Sequence, residues 1–463
     1  MKRILLAFPV LTLVFLSCTK TPEEPDPDVN PIEQEEPQPN ENTGDNPDPE
    51  PVPDPDPVHS PDGCIENDIV YAYMQCGTYE KFGSKSHFYD PAVKATADLY
   101  KWKGDDPKGI TVSWEGNAEA LYTVSISTEE SLWYKDYVKG NSYTFNNLIP
   151  GVVYSYEISL EGNSIKYGRL QPTGQVRMLD IPYAWNYRDE GGWTGLQGNT
   201  VRYGWIYRGS SLNGKFTGND GTREVYDINN WWAPDTMKVI INRIGIKAEL
   251  DLRGNLEILG RTGDNNSAHS NALGFSWFDD VDYHWVMSDY GYYYPLERSA
   301  LIQDLAFIIA ELKKGRPVAY HCRSGADRTG VLGALILGIL GVHEGDIARD
   351  YELTSLSSEY TAKTLKLASQ AVSAAPNHFS SGKGIRSLEG ETLQEKYYRY
   401  VNQHFDDVHI NADDIDWFIC FMLGLDSYTH PSWAMNYDDN PLEKVYSLET
   451  GSAVHVYPDG NSR

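Results

Sequence analysis

No Cys-x-x-Cys pair, no His-Glu-x-x-His and no EF-hand spacing occurs in the 463 residues, so nothing in the sequence points to a metal or another cofactor. Lysine and arginine are outnumbered by aspartate and glutamate, 39 against 66, and form no basic cluster. That excludes docking on a nucleic-acid backbone, which needs clustered positive charge. No apolar run is long enough to cross a bilayer. Residues 4–16 fall short of the ~20 required, and their position behind Lys2 and Arg3 is that of an export signal. Cysteine is scarce, at Cys18, Cys64, Cys76, Cys322 and Cys420. An exported chain could join Cys64 to Cys76, although their spacing does not decide it.

The net charge of −27 is concentrated at one end. Residues 19–62 hold fourteen Asp and Glu against Lys20, with half of the 26 prolines. Such a stretch cannot bury apolar surface and reads as an extended tether. The remainder is still acidic, so an anionic substrate must be attracted locally. Its length suits two domains. Residues 63–178 alternate short β-rich runs with turns, as in Ile110-Thr111-Val112-Ser113-Trp114 and Ala120-Leu121-Tyr122-Thr123-Val124-Ser125-Ile126. Residues 179–430 alternate helical and strand patterns, and residues 431–463 give no reading.

In the second domain, residues 235–243 read as a helix before a strand at 247–252, and residues 300–314 as an amphipathic helix closed by Gly315 and Pro317. Then comes His321-Cys322-Arg323-Ser324-Gly325-Ala326-Asp327-Arg328-Thr329-Gly330. It lies between the apolar run Val318-Ala319-Tyr320 and a helical pattern ending at Gly341. This order predicts a mostly parallel sheet with helices on both faces and ligands at the strand C-termini. Cys322 then occupies a strand-to-helix turn, where open backbone N–H groups and the helix dipole attract anions, thiolates included. The turn reads as a nucleophile inside an anion cradle.

These ten residues match the cysteine-dependent phosphatase signature: His-Cys, five residues, Arg, Ser or Thr, Gly. Other segments resemble the bacterial tyrosine phosphatases related to lipid phosphatases. They are Asn186-Tyr187-Arg188-Asp189-Glu190-Gly191-Gly192, Val201 to Ser210, Leu250-Asp251-Leu252-Arg253 with Glu257, Ile347 to Thr354, and Ala412 to Asp416. The resemblance implies a cysteine-phosphatase fold and a phosphoric monoester hydrolase working through a cysteinyl-phosphate. Cys322 would be the nucleophile, and Arg328, with the loop Arg323, Ser324, Gly325, Ala326 and Asp327, would bind phosphate. Asp327 would be the general acid, because the family places its acid inside the loop. Thr329 would donate to the departing thiolate, and His321 would be a buried orienting partner. Ala326 stands where the family commonly has a lysine associated with phosphoinositides, which favours phosphotyrosine or a similar monoester. An inositol phosphate or phosphoinositide is the alternative.

Two further resemblances concern the first half. Phe15-Leu16-Ser17-Cys18 resembles a loose bacterial lipobox, which implies lipid attachment at Cys18 and anchoring to a bacterial membrane, the outer one by preference, on its periplasmic or surface side. An ordinary cleaved signal peptide is the alternative. Leu148-Ile149-Pro150-Gly151-Val152-Val153-Tyr154 resembles the fibronectin type III corner, which implies an all-β immunoglobulin-like sandwich with Trp114 in its core. It would serve as a spacer, or as a docking module for a glycan or protein.

Several assignments stay open at this level. Asp289, some thirty residues before Cys322, is an alternative acid, and Asp280 is a weaker one. Arg188, Asp189 and Arg253 could shape the site floor through ion pairs, and Tyr290, Tyr292, Tyr293, Tyr294, Trp277 and Trp285 could wall a pocket for a phenyl phosphate. A catalytically silent surface binding protein and a sulfur transferase are the competing classes. Intact Cys322, Arg328 and Thr329 count against the first, and the Asp-Arg-Thr-Gly ending against the second.

Overall fold

The computed structural model describes residues 66–75, 106–129, 131–182, 184–212, 235–253, 278, 280–285, 300–322, 324–357, 389–403 and 410–436. The chain divides into two units, residues 1–53 and 54–463, and every described residue belongs to the second.

Helix α1 (Asp68–Met74) starts where the Asn67 side chain accepts from the Val70 N–H. Six strands follow: β1 (Ile110–Ser113), β2 (Tyr122–Ser127), β3 (Leu132–Val138), β4 (Ser142–Phe145), β5 (Tyr154–Leu160) and β6 (Asn163–Leu170). They form two antiparallel sheets, β3-β2-β5-β6 and β1-β4. Period-two alternation sends Tyr122, Val124 and Ile126 of β2 and Tyr154, Tyr156 and Ile158 of β5 into one buried cluster with Ile110, Val112, Trp114 and Phe145. The Ile149 N–H donates to Tyr154 Oη at 3.0 Å, which ties the turn before β5 back onto that strand.

The rest is mixed α/β: β7 (Arg188–Asp189), β8 (Ile206–Gly209), α2 (Asp235–Ile244), β9 (Ala248–Asp251), β10 (Asp282–Trp285), α3 (Ala300–Lys313), β11 (Val318–His321), α4 (Asp327–Ile339), α5 (Glu344–Leu353), α6 (Leu393–Gln403) and α7 (Ala412–Leu423). The sheet order is β10-β9-β11-β8-β7, parallel except for the β7–β8 pair. β11 is buried along its whole length, as an inner parallel strand must be. Its Val318 and Tyr320 join the core containing α3 and α4, whereas Ala319 joins the core containing α2. Helices therefore cover both faces.

Helix α1 precedes the six strands in the chain, yet its apolar face joins a core other than theirs. Ile69, Val70, Tyr73 and Met74 of α1 lie in the core of the α/β sheet. Glu66 accepts from the Gln175 and Val176 N–H groups, and Tyr73 donates to Glu352 at 2.7 Å. Residues 66–75 thus pack with the α/β unit. The seam between that unit and the β sheets is polar and specific. Arg177 donates to the carbonyls of Asn147 and Leu148 and to Asp189, Trp133 Nε1 donates to the Arg243 carbonyl, and Arg243 pairs with Asp136.

Candidate active site

The register places His321 level with Asp251 and Gly209 at the C-terminal edge of the sheet. Cys322 follows directly, a free thiol that is 4% exposed. Residues 324–326 turn into α4, whose first residue is Asp327. Gly325 has φ +67°, and a Cβ there would lie 2.4 Å from the Gly209 carbonyl. Only glycine lets the turn approach β8 this closely. The first-turn amides of a helix have no partner within it, so this end of α4 carries partial positive charge.

Arg328, 2% exposed, donates from Nη1 to the Leu252 carbonyl at 2.9 Å. The Leu252 N–H in turn donates to the His321 carbonyl at 2.8 Å, so the β9 exit turn braces both ends of the loop. Thr329 Oγ1 accepts from the Cys322 N–H at 2.8 Å, which leaves its own proton for a further acceptor. Asp327 is half-buried and accepts from Tyr351 Oη at 3.2 Å.

His321 is fully buried, with Nδ1 3.0 Å from the Cys322 carbonyl and Nε2 2.8 Å from Glu249 Oε1. Both ring nitrogens face oxygen, which fixes the ring beside Cys322. On the same strand as Glu249, burial alone would raise the Asp251 carboxyl. The Arg253 guanidinium, with His321 behind it, overcomes this and holds it at about 2. Tyr283 Oη donates to Asp251 as well, at 2.9 Å.

A second set of buried charges lies behind the loop. Arg188 Nε and Arg208 Nη1 meet Asp350 at 2.8 and 2.5 Å, and Asp350 is held below the usual carboxylate range because these guanidinium charges outweigh its burial. Glu190 accepts from Tyr320 Oη; its burial and the Asp350 charge push its carboxyl up to about 7. Asn186 Nδ2 donates to the Ser324 and Gly325 carbonyls at 3.3 and 3.0 Å.

One loop thus collects His321, Cys322, Ser324, Gly325, Ala326, Asp327, Arg328 and Thr329. Arg253 and Arg188 make the anticipated ion pairs nearby, whereas Asp189 pairs with Arg177 at the seam with the β sheets. Asp280 is exposed and precedes β10, whose first residue is level with the start of β11, so it lies toward the end of the sheet opposite Cys322. Arg323, Asp289, Glu257, Trp277, Tyr290, Tyr292, Tyr293, Tyr294, Cys18, Cys64 and Cys76 lie outside the described residues, as does the Trp285 side chain. Among the described residues, Asp413, Asp416 and His430 bring three donor atoms within 4.8 Å of one another. Asp416 already accepts from Tyr398 and lies 2.7 Å from His430, so the group is closed by its own hydrogen bonds.

Sequence reasoning gave no role to Glu249, Arg208, Tyr351, Glu190 or the Asn186 and Asp350 side chains. Asn186, Glu190, Arg208, Asp350 and Tyr351 lie in segments carrying the family resemblance, which was the available signal. Glu249 had none.

Residues 233–430 match the model of the tyrosine phosphatase family. The matched stretch contains α2, β9, β11, the loop and α4 through α7, and it leaves the two antiparallel sheets outside. It supports phosphatase activity in the α/β unit. No curated protein matches the chain.

Proposed function

We propose that this chain is a cysteine-dependent phosphomonoesterase of the tyrosine-phosphatase type. The observation that carries the reading is the junction of β11 and α4, which sets Cys322 and Arg328 in one buried turn at the helix start, within the stretch that matches the family. Cys322 Sγ attacks phosphorus, the S–P bond forms, and the P–O bond to the alcohol or phenol breaks as Asp327 protonates the leaving oxygen. The Arg328 fork and the loop amides bind the equatorial oxygens, which lysine's single ammonium could not do in parallel. Water deprotonated by Asp327 then attacks phosphorus. The S–P bond breaks, inorganic phosphate leaves, and Thr329 donates its hydroxyl proton toward the thiolate.

Phosphotyrosine or a similar monoester is the favoured substrate class over an inositol polyphosphate. Lys313, Lys314 and Arg316 precede β11 at the edge away from Cys322 and are paired with Asp414, Glu311 and Asp282. They are therefore not available to a polyanion at the loop. We read the β sheets as a fibronectin type III-like spacer and Cys18 as the lipid attachment point. Hydrolysis of an aryl phosphate, lost in Cys322→Ser, is the expected result; no turnover between pH 4 and 8 would favour a silent binding protein. For the acid, loss of alkyl-phosphate turnover in Asp289→Asn but not in Asp327→Asn would transfer that role to Asp289.

A further inference from the structure

We propose that Asn186 is the positioning residue of the phosphate cradle, holding two successive loop carbonyls outward so that the amides behind them face the substrate oxygens. The proposal rests on the phosphatase reading and concerns how that site is kept in shape. In a trans peptide the C=O and the following N–H point in opposite directions, and no described peptide here is cis. Fixing the Ser324 carbonyl therefore aims the Gly325 N–H the other way, and fixing the Gly325 carbonyl does the same for the Ala326 N–H. Asn186 Nδ2 reaches both carbonyls, at 3.3 and 3.0 Å, from a fully buried position.

The carboxamide cannot be turned round. Its oxygen accepts from Arg188 Nη1 at 2.6 Å, while the nitrogen faces the two carbonyls and Thr354 Oγ1 at 3.2 Å. Arg188 is fixed by Asp350, Asp350 by Arg208, and Arg208 Nη2 returns to the Gly325 carbonyl at 3.3 Å. The loop is thus clamped by a closed ring of buried groups. Asn186 also sits at φ +57°, a conformation that costs an L-residue roughly 1 kcal/mol or more and that asparagine tolerates best. Strain kept at a buried residue touching the loop fits a functional constraint.

Two variants separate clamp from scaffold. Asn186→Gly suits the backbone and deletes only the amide. Asn186→Asp keeps the shape and the acceptor for Arg188 but turns lone pairs toward the carbonyls. Steady-state hydrolysis of an aryl phosphate, inhibition by vanadate and the thermal midpoint would be measured on the full chain. Both variants are expected to lose about 10²-fold in kcat/KM, with a parallel rise in the vanadate inhibition constant. Asn186→Gly should keep its midpoint within a few degrees. Wild-type kcat/KM and vanadate inhibition in Asn186→Gly would overturn the proposal, and so would activity lost only in step with the melting temperature. If Asn186→Asp does not fold, the glycine variant decides alone. A wild-type chain that neither turns over aryl phosphate nor binds vanadate overturns the phosphatase reading, and the clamp with it.

Discussion

Among the described residues between 106 and 170, no polar or charged side chain is buried, whereas the α/β unit buries Arg188, Arg208, Arg328, Asp189, Glu190, Glu249, Asp251, His321 and Asp350. The antiparallel sheets fill their core with Trp114, Tyr122, Phe145 and aliphatic residues, with Trp114 edge-on to Tyr122 at 5.2 Å. That arrangement is stable without further conditions, because apolar contacts require no matching partner. A buried charge is different: desolvation costs several kcal/mol per ion, and removing one partner strands the other. The α/β unit accepts that cost around the turn that, on the proposed function, holds a phosphate ester. Its buried groups bond the loop carbonyls from behind, Asn186 and Arg208 reaching Ser324 and Gly325, which an apolar floor could not do.

The comparison is tested hardest by changing one buried cation without changing charge. Arg328→Lys should lower kcat/KM for an aryl phosphate by about 10³-fold, because two parallel donors become a point charge. Next in size is Asp350→Asn, which leaves Arg188 and Arg208 facing a neutral group and should cost about 3–5 kcal/mol in denaturant unfolding, together with activity. Trp114→Ala is the counterpart in the β sheets. It should cost about 3 kcal/mol by leaving a cavity, yet leave turnover within roughly twofold below the unfolding transition. A large loss of turnover in Trp114→Ala would erase the distinction between the two halves.

The same contrast governs what could be read from the sequence. Alternation in β2 and β5 was legible because an antiparallel strand with one buried face writes its burial into every second residue. That Cys322 and Arg328 fall at one strand-to-helix junction was legible because an apolar run precedes them and a helical pattern follows. Partnerships between distant segments were not. Tyr73 meets Glu352 across 279 positions and His321 meets Glu249 across 72, and no local pattern encodes either. Sequence proximity also misled. Lys313, Lys314 and Arg316 are near Cys322 in number, but β11 carries the cysteine to the far edge of the sheet. Asp280 stands about forty positions before Cys322, and spacing alone could not say which edge it would occupy.

The smallest effect, and the one that separates the halves without a substitution in either core surface, is the dependence of stability on pH. Burial and the Asp350 charge raise Glu190 from an ordinary 4.5 to about 7. A carboxyl raised on folding adds stability that is complete below pH 4.5 and is lost as pH rises through 7. Asp251 behaves oppositely: lowered from 3.8 to about 2, its contribution is present above 3.8 and lost as pH falls through 2. The α/β unit should therefore be most stable between these windows and lose stability progressively from about pH 4.5 to 7. Glu190→Gln should flatten that upper slope, since a glutamine oxygen still accepts from Tyr320 while carrying no charge toward Asp350. The antiparallel sheets, with no buried carboxyl among their described residues, should show a level profile across both windows when amide exchange is followed region by region. An equal slope in both halves, or a slope unchanged in Glu190→Gln, would mean that another group carries the titration.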